Sequence, residues 1–62
     1  MKPYIEKRAV EIGTYIVEKN ATVRQAAKTY GVSKSTVHKD VAERLPQIDV
    51  ALAKEARAVL DV

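Results

Sequence analysis

The sequence predicts an all-α fold, a small bundle of about four helices, and three observations carry that expectation. Apolar residues recur at three- and four-residue intervals, and no segment alternates apolar and polar with the period of a half-buried strand. Helix start and stop signals punctuate the chain at helical lengths. The 62 residues leave room for one domain and one core, and no repeat or low-complexity stretch divides them. A domain this short buries only about 60% of the surface its unfolded chain exposes, so its core is expected to be thin.

The first helix starts near Pro3, which is tolerated in a first turn because its missing N–H has no intrahelical partner there. Ile5, Ala9, Ile12 and Ile16 then form one stripe, widened by Val10, Gly13 and Val17, with Glu6, Lys7, Glu11, Glu18 and Lys19 largely outside it. Asn20 can end the helix in the left-handed conformation. The second helix opens on Thr22-Val23-Arg24-Gln25, the spacing of a capping box, and continues through Ala26, Ala27 and Tyr30 to Gly31, a terminator that accepts positive φ. After Val32, Ser33 caps a third helix whose Val37, Val41 and Leu45 keep a buried i, i+4, i+8 rhythm. Pro46 disfavours helical geometry at Leu45 and is expected to end this helix there. Asp49 caps a fourth, with Leu52, Ala53, Ala56, Val59 and Leu60 as its apolar face.

Several function classes are excluded at the outset. There is no cysteine, so a disulfide framework, a thiolate zinc site and a cysteine nucleophile are unavailable. His38 is the lone histidine and cannot build a metal cage by itself. No dyad or triad can be assembled, so neither catalysis, nor a metal, nor a cofactor is expected. No apolar run approaches the ~18 residues of a membrane span. Met1 to Lys7 lacks the apolar stretch of a signal peptide, and the expectation is a soluble, cytoplasmic protein without a membrane partner.

A formal net charge of +3 says little, but its distribution says more. Between Glu18 and Asp40 there is no acid, while Lys19, Arg24, Lys28, Lys34 and Lys39 all fall there; residues 45–62 carry Lys54 and Arg57 against Asp49, Glu55 and Asp61. A one-sided basic segment is the electrostatic footprint of a polyanion binder. It coincides with helix, tight glycine-containing turn and helix over about residues 22–44, the arrangement of a helix-turn-helix.

Helical geometry, at about 100° per residue, sorts the third helix. With Val37 at zero, Val41 and Leu45 face the core, whereas Ser35, His38, Lys39 and Ala42 lie between about 100° and 200° and face away. Lys34 and Thr36 project at the N-terminal end, the part that usually meets base edges. Asp40 and Glu43 fall on the far flank, where i,i+4 spacing lets them pair with Arg44 and Lys39. The expectation is therefore a double-stranded DNA partner read by Lys34, Ser35, Thr36, His38 and Lys39. Thr22, Arg24, Gln25, Lys28 and Ser33 are the candidate phosphate contacts. Tyr4, Tyr15 and Tyr30 are read as core-edge aromatics rather than stacking platforms for bases. Two rival readings are a DNA-binding module of a recombinase or sigma-type factor, and a helical protein-interaction module that never meets nucleic acid.

The residues Val23-Arg24-Gln25-Ala26-Ala27-Lys28, the run Tyr30-Gly31-Val32-Ser33-Lys34-Ser35-Thr36-Val37-His38-Lys39-Asp40 and then Glu43-Arg44-Leu45-Pro46 resemble the stage III sporulation protein D family. The flanks fit as well, in Tyr4-Ile5, Tyr15-Ile16-Val17-Glu18 and Leu60-Asp61, so the similarity covers essentially the whole sequence. The resemblance implies a helix-turn-helix transcriptional regulator that activates and represses genes in the mother cell of a sporulating bacterium. It further implies RNA polymerase as a second partner, a monomeric form, and Ser33, Lys34, Ser35, Thr36, His38 and Lys39 as the recognition surface. Members of that family carry a basic tail after the fourth helix that also touches DNA; the present sequence reaches Val62.

Overall fold

The computed structural model describes residues 2–60, so Met1, Asp61 and Val62 lie outside the described residues, and with them the Asp61 of the family resemblance. The described residues are helical apart from short connections: α1 (Pro3–Lys19), α2 (Val23–Tyr30), α3 (Lys34–Lys39), a π-helical segment (Asp40–Arg44), α4 (Leu45–Ile48) and α5 (Val50–Leu60). None of these helices is long and apolar enough to cross a membrane. The expected all-α bundle is what forms.

Local signals set most boundaries. Pro3 occupies the first turn of α1, and Asn20 closes that helix at φ 51°, its N–H donating to Ile16 O. Thr22 and Gln25 form both halves of the capping box of α2, and Gly31 ends it at φ 66°. At the start of α5 the Asp49 carboxylate accepts from the Leu52 N–H at 3.1 Å.

The expectation for Pro46 is corrected. Helical backbone continues through it, and Leu45 sits at φ −59°, ψ −40°. Residues 34–48 form one unbroken rod because the hydrogen-bond pattern widens just before the proline. Leu45 N–H reaches back five residues to Asp40 O. A proline in an α-helix lacks one donor and crowds the carbonyl four residues back, and the wider π turn moves that carbonyl away. The stop comes at Asp49 instead, which is extended at φ −150°, ψ 99°.

Ala9, Ile12, Ile16, Ala26, Ala27, Val37, Val41, Leu45, Ala53 and Ala56 make the core. Half of these are alanines, so the core is thin and depends on close helix approach. Gly13 shows how close: a Cβ there would lie 2.5 Å from Leu45 Cδ2 and 3.4 Å from Leu52 Cγ. The apolar stripe of α1 thus receives α4 and α5 together at its one residue without a side chain.

Candidate nucleic-acid interface

α2 and α3 are joined by the turn 31–33 and pack on one another through Ala26, Ala27 and Val37, all buried. Gly31 N–H and Val32 N–H both turn back onto the Ala27 carbonyl, the latter at 2.9 Å, which ties the turn to the end of α2. Ser33 is extended at φ −78°, ψ 160°, and its Oγ accepts from the Thr36 N–H at 3.1 Å. The geometry is compatible with a helix-turn-helix: a short helix braced across another by a fixed turn, with its remaining face open.

That open face holds most of the residues singled out as readers. Lys34, Ser35, His38 and Lys39 are exposed, whereas Val37 between them is fully buried. Thr36 differs: it is half-buried, and its hydroxyl lies 3.0 Å from Ser33 Oγ, so its first task is to complete the cap of α3. Thr22, Arg24, Gln25, Lys28 and Ser33 are all exposed. In the capping box Thr22 Oγ1 accepts from Gln25 N–H at 3.1 Å and Gln25 Oε1 accepts from Thr22 N–H at 3.0 Å. Both side chains thus spend acceptors internally and keep the hydroxyl hydrogen and the amide NH2 as donors. That is the polarity a phosphate requires.

Asp40 is where the structure departs most from the expectation. The helical period puts it on the far flank of the third helix, paired at the surface with Arg44, but it is completely buried. Its pairing with Arg44 does form, through Arg44 Nη1 and Asp40 Oδ1. The second partner was not foreseen: Arg8 on α1 donates Nε to Asp40 Oδ2 at 2.8 Å and Nη2 to Oδ1 at 3.4 Å. Hydrogen bonding to Asp40 pushes the Arg8 guanidinium above its already high ordinary pKa, so it stays charged at any working pH. Glu43 and Lys39 were expected to pair, yet the ion pairs found among the described residues are Arg8–Asp40 and Arg44–Asp40. The consequence for the surface is direct. Asp40 is withdrawn into the interior and neutralised there, while Glu43, one turn beyond Lys39, stays exposed.

Tyr15 and Tyr30 are half-buried and meet edge to face with ring centres 5.8 Å apart. Thr29 Oγ1 donates to the Tyr15 hydroxyl at 3.2 Å, and the Tyr30 hydroxyl donates to Glu11 O at 3.1 Å. Both rings therefore brace α1 against α2, as core-edge aromatics do. Tyr4 does not fit that description, being 61% exposed on the first turn of α1. Along the edge of the open face, His38, Val41, Ala42, Arg57 and Leu60 line a shallow groove, which brings α5 beside the C-terminal end of α3. Arg57 had no role in the sequence reading, and only the packing of α5 against residues 38–42 reveals its position.

Comparison with known proteins covers nearly the whole sequence. The family model described as "Stage III sporulation protein D" matches residues 2–62. The "Stage III sporulation protein D" of Bacillus subtilis (strain 168) is 57% identical over 61 residues, which are 98% of this chain and 66% of that relative. No solved structure matches.

Proposed function

The chain belongs to the stage III sporulation protein D family, and from that premise we propose that it is a sequence-specific, duplex-DNA-binding transcriptional regulator acting in sporulation. The observation that carries the reading is the outer face of α3. Lys34, Ser35, His38 and Lys39 are exposed together on a helix whose other side is locked into the core, and Asp40, which follows Lys39, is buried, leaving Glu43 at the C-terminal margin as the exposed acid of this stretch. A major groove admits one α-helix, and such a helix needs donors on its outer face and no carboxylate aimed at phosphate. Arg24 and Lys28 on α2 supply charge beside it, with the donors of Thr22, Gln25 and Ser33 at the ends of the two helices. The protein acts by binding rather than catalysis, as a monomer in the mother-cell cytoplasm, and activates or represses through its position relative to RNA polymerase.

Selection of bound sites from random duplex DNA, followed by footprinting, tests the reading. The expected result is one enriched site whose affinity falls linearly with log salt at about −0.9 per phosphate neutralised. Lys28→Ala should flatten that slope and weaken selected and random DNA alike. Absence of duplex binding at low salt would make the chain a protein-interaction bundle instead.

A further inference from the structure

The groove between the rod 34–48 and α5 has no role assigned above except through His38. His38 and Ala42 lie one turn apart on the outer side of the rod 34–48, Arg57 and Leu60 one turn apart on α5, and Val41 completes the lining. α5 therefore flanks the rod 34–48 at the C-terminal end of α3, and Arg57 emerges on the same side as His38. We propose that Arg57 is a further DNA-backbone contact, and that it grips one phosphate together with His38. This rests on the DNA-binding reading above and extends its footprint from α2 and α3 to α5.

The chemistry of the groove selects an anion with several acceptor oxygens. Its apolar lining, Val41, Ala42 and Leu60, offers no hydrogen bonds. Its polar groups are an imidazole from one helix and a guanidinium from the other. The guanidinium presents a rigid fork of donors that matches phosphate bidentately, and an imidazole N–H adds a third donor. Both side chains are exposed, so a backbone phosphate following the open face reaches them without any rearrangement. Glu55, the acid within α5, is two positions from Arg57 and so points to the opposite side of that helix, and Asp61 lies outside the described residues. His38 thereby changes role: it donates to the backbone at the C-terminal end of α3, and base reading is left to Lys34, Ser35 and Lys39.

Arg57→Gln and Arg57→Lys test this, measured on the selected duplex and on random duplex over a range of salt, with thermal melts to monitor folding. Because Arg57 is exposed, neither change should move the melting temperature appreciably. Arg57→Gln should weaken both duplexes by about tenfold, the effect of losing one charge-assisted hydrogen bond, and make the salt slope shallower by about 0.9. Arg57→Lys should keep the slope. Phosphate ethylation that hinders the parent at one position should no longer discriminate against Arg57→Gln. Unchanged affinity and slope in Arg57→Gln would overturn the assignment while leaving the DNA-binding reading intact. So would a loss confined to the selected duplex, which makes Arg57 a base reader, or a loss with lowered melting temperature and unchanged slope. A parent that binds no duplex at any salt would overturn both.

Discussion

The Asp40 carboxylate, fully buried at the junction of α3 and the π segment, receives Nε of Arg8 at 2.8 Å from a residue 32 positions earlier in the chain. One carboxylate thereby ties α1 to the rod 34–48 and takes Arg44 as a second cation. Breaking a buried pair by removing one partner costs about 3–5 kcal/mol when both groups are enclosed. Here the two arginine side chains are 27% and 31% exposed, so the cost should fall near or below the lower end.

Asp40→Ala is therefore expected to destabilise the fold by about 2–3 kcal/mol. In a domain of this size each kcal/mol moves the melting temperature by about 4–8 °C, so a calorimetric or circular-dichroism melt reads the change easily. Replacing Arg8, Asp40 and Arg44 together by apolar residues of similar volume should cost less than Asp40→Ala alone, because no buried charge is then left unpaired. If Asp40→Ala melts with the parent, the triad contributes nothing to stability.

The two glycines should fail for different reasons. Gly13→Ala drives a methyl into Leu45 Cδ2 and is expected to cost about 1–3 kcal/mol through overpacking, even though alanine is the better helix former. At Gly31 nothing lies within 4 Å of an added Cβ, so Gly31→Ala costs only the left-handed backbone, about 1 kcal/mol, and the β-branched Gly31→Val more. Shortening the obstacle separates the cases. Leu45→Ala in the Gly13→Ala background should add less destabilisation than Leu45→Ala alone, whereas it should add in full to Gly31→Ala, as read by thermal double-mutant cycles.

Burial, with the negative charge of Glu11 added, raises the Tyr30 phenol above its ordinary pKa. A group whose folded-state pKa is raised contributes stability that is fully present below its unfolded value and is lost as pH rises through the folded one. Stability should therefore decline above about pH 10, where the unfolded phenol ionises. Tyr30→Phe removes the donor to Glu11 O, should cost about 1 kcal/mol at neutral pH, and should blunt this alkaline decline. Unfolding by urea at neutral and alkaline pH measures both; an unaltered pH profile in Tyr30→Phe would assign the decline to another group.

What could be read from the sequence was what depends on a few neighbouring residues. The capping box at Thr22 and Gln25, the left-handed ends at Asn20 and Gly31 and the caps at Ser33 and Asp49 are local chemistry, and all five form. Pro46 was misread because its bias against helical geometry at the preceding residue is only a preference: Leu45, fully buried and close to Gly13, keeps helical φ and ψ through a widened turn. Asp40 was misread because a wheel drawn for one helix cannot show a partner on another. A signal did exist: Arg8 borders the Ile5–Ile12 stripe of α1 and Asp40 borders the Val37–Val41 seam, and opposite charges flanking two facing stripes are placed to meet. The open face of α3 was legible from helical period alone. The approach of α5 to it was not, since that depends on how the connection at Asp49 turns the chain.

The last prediction concerns base reading, and Ser35 tests it most cleanly. Ser35 is exposed on α3 beside Lys34 and Lys39, and its hydroxyl both donates and accepts, so several base edges suit it. Ser35→Ala removes no charge, keeps a residue of higher helix propensity and should leave folding and the salt slope unchanged. On the selected site it should cost about 1–3 kcal/mol, and on random duplex almost nothing. Repeating the site selection with this variant should show relaxed preference at one or two adjacent base pairs. Lys39→Ala should combine such a relaxation with a shallower salt slope, because an amine beside the groove serves phosphate and base alike. If Ser35→Ala, Lys34→Ala and Lys39→Ala all kept the parental preference, α3 would not be the reader. Sequence discrimination would then have to come from DNA shape, sensed through the basic residues of α2.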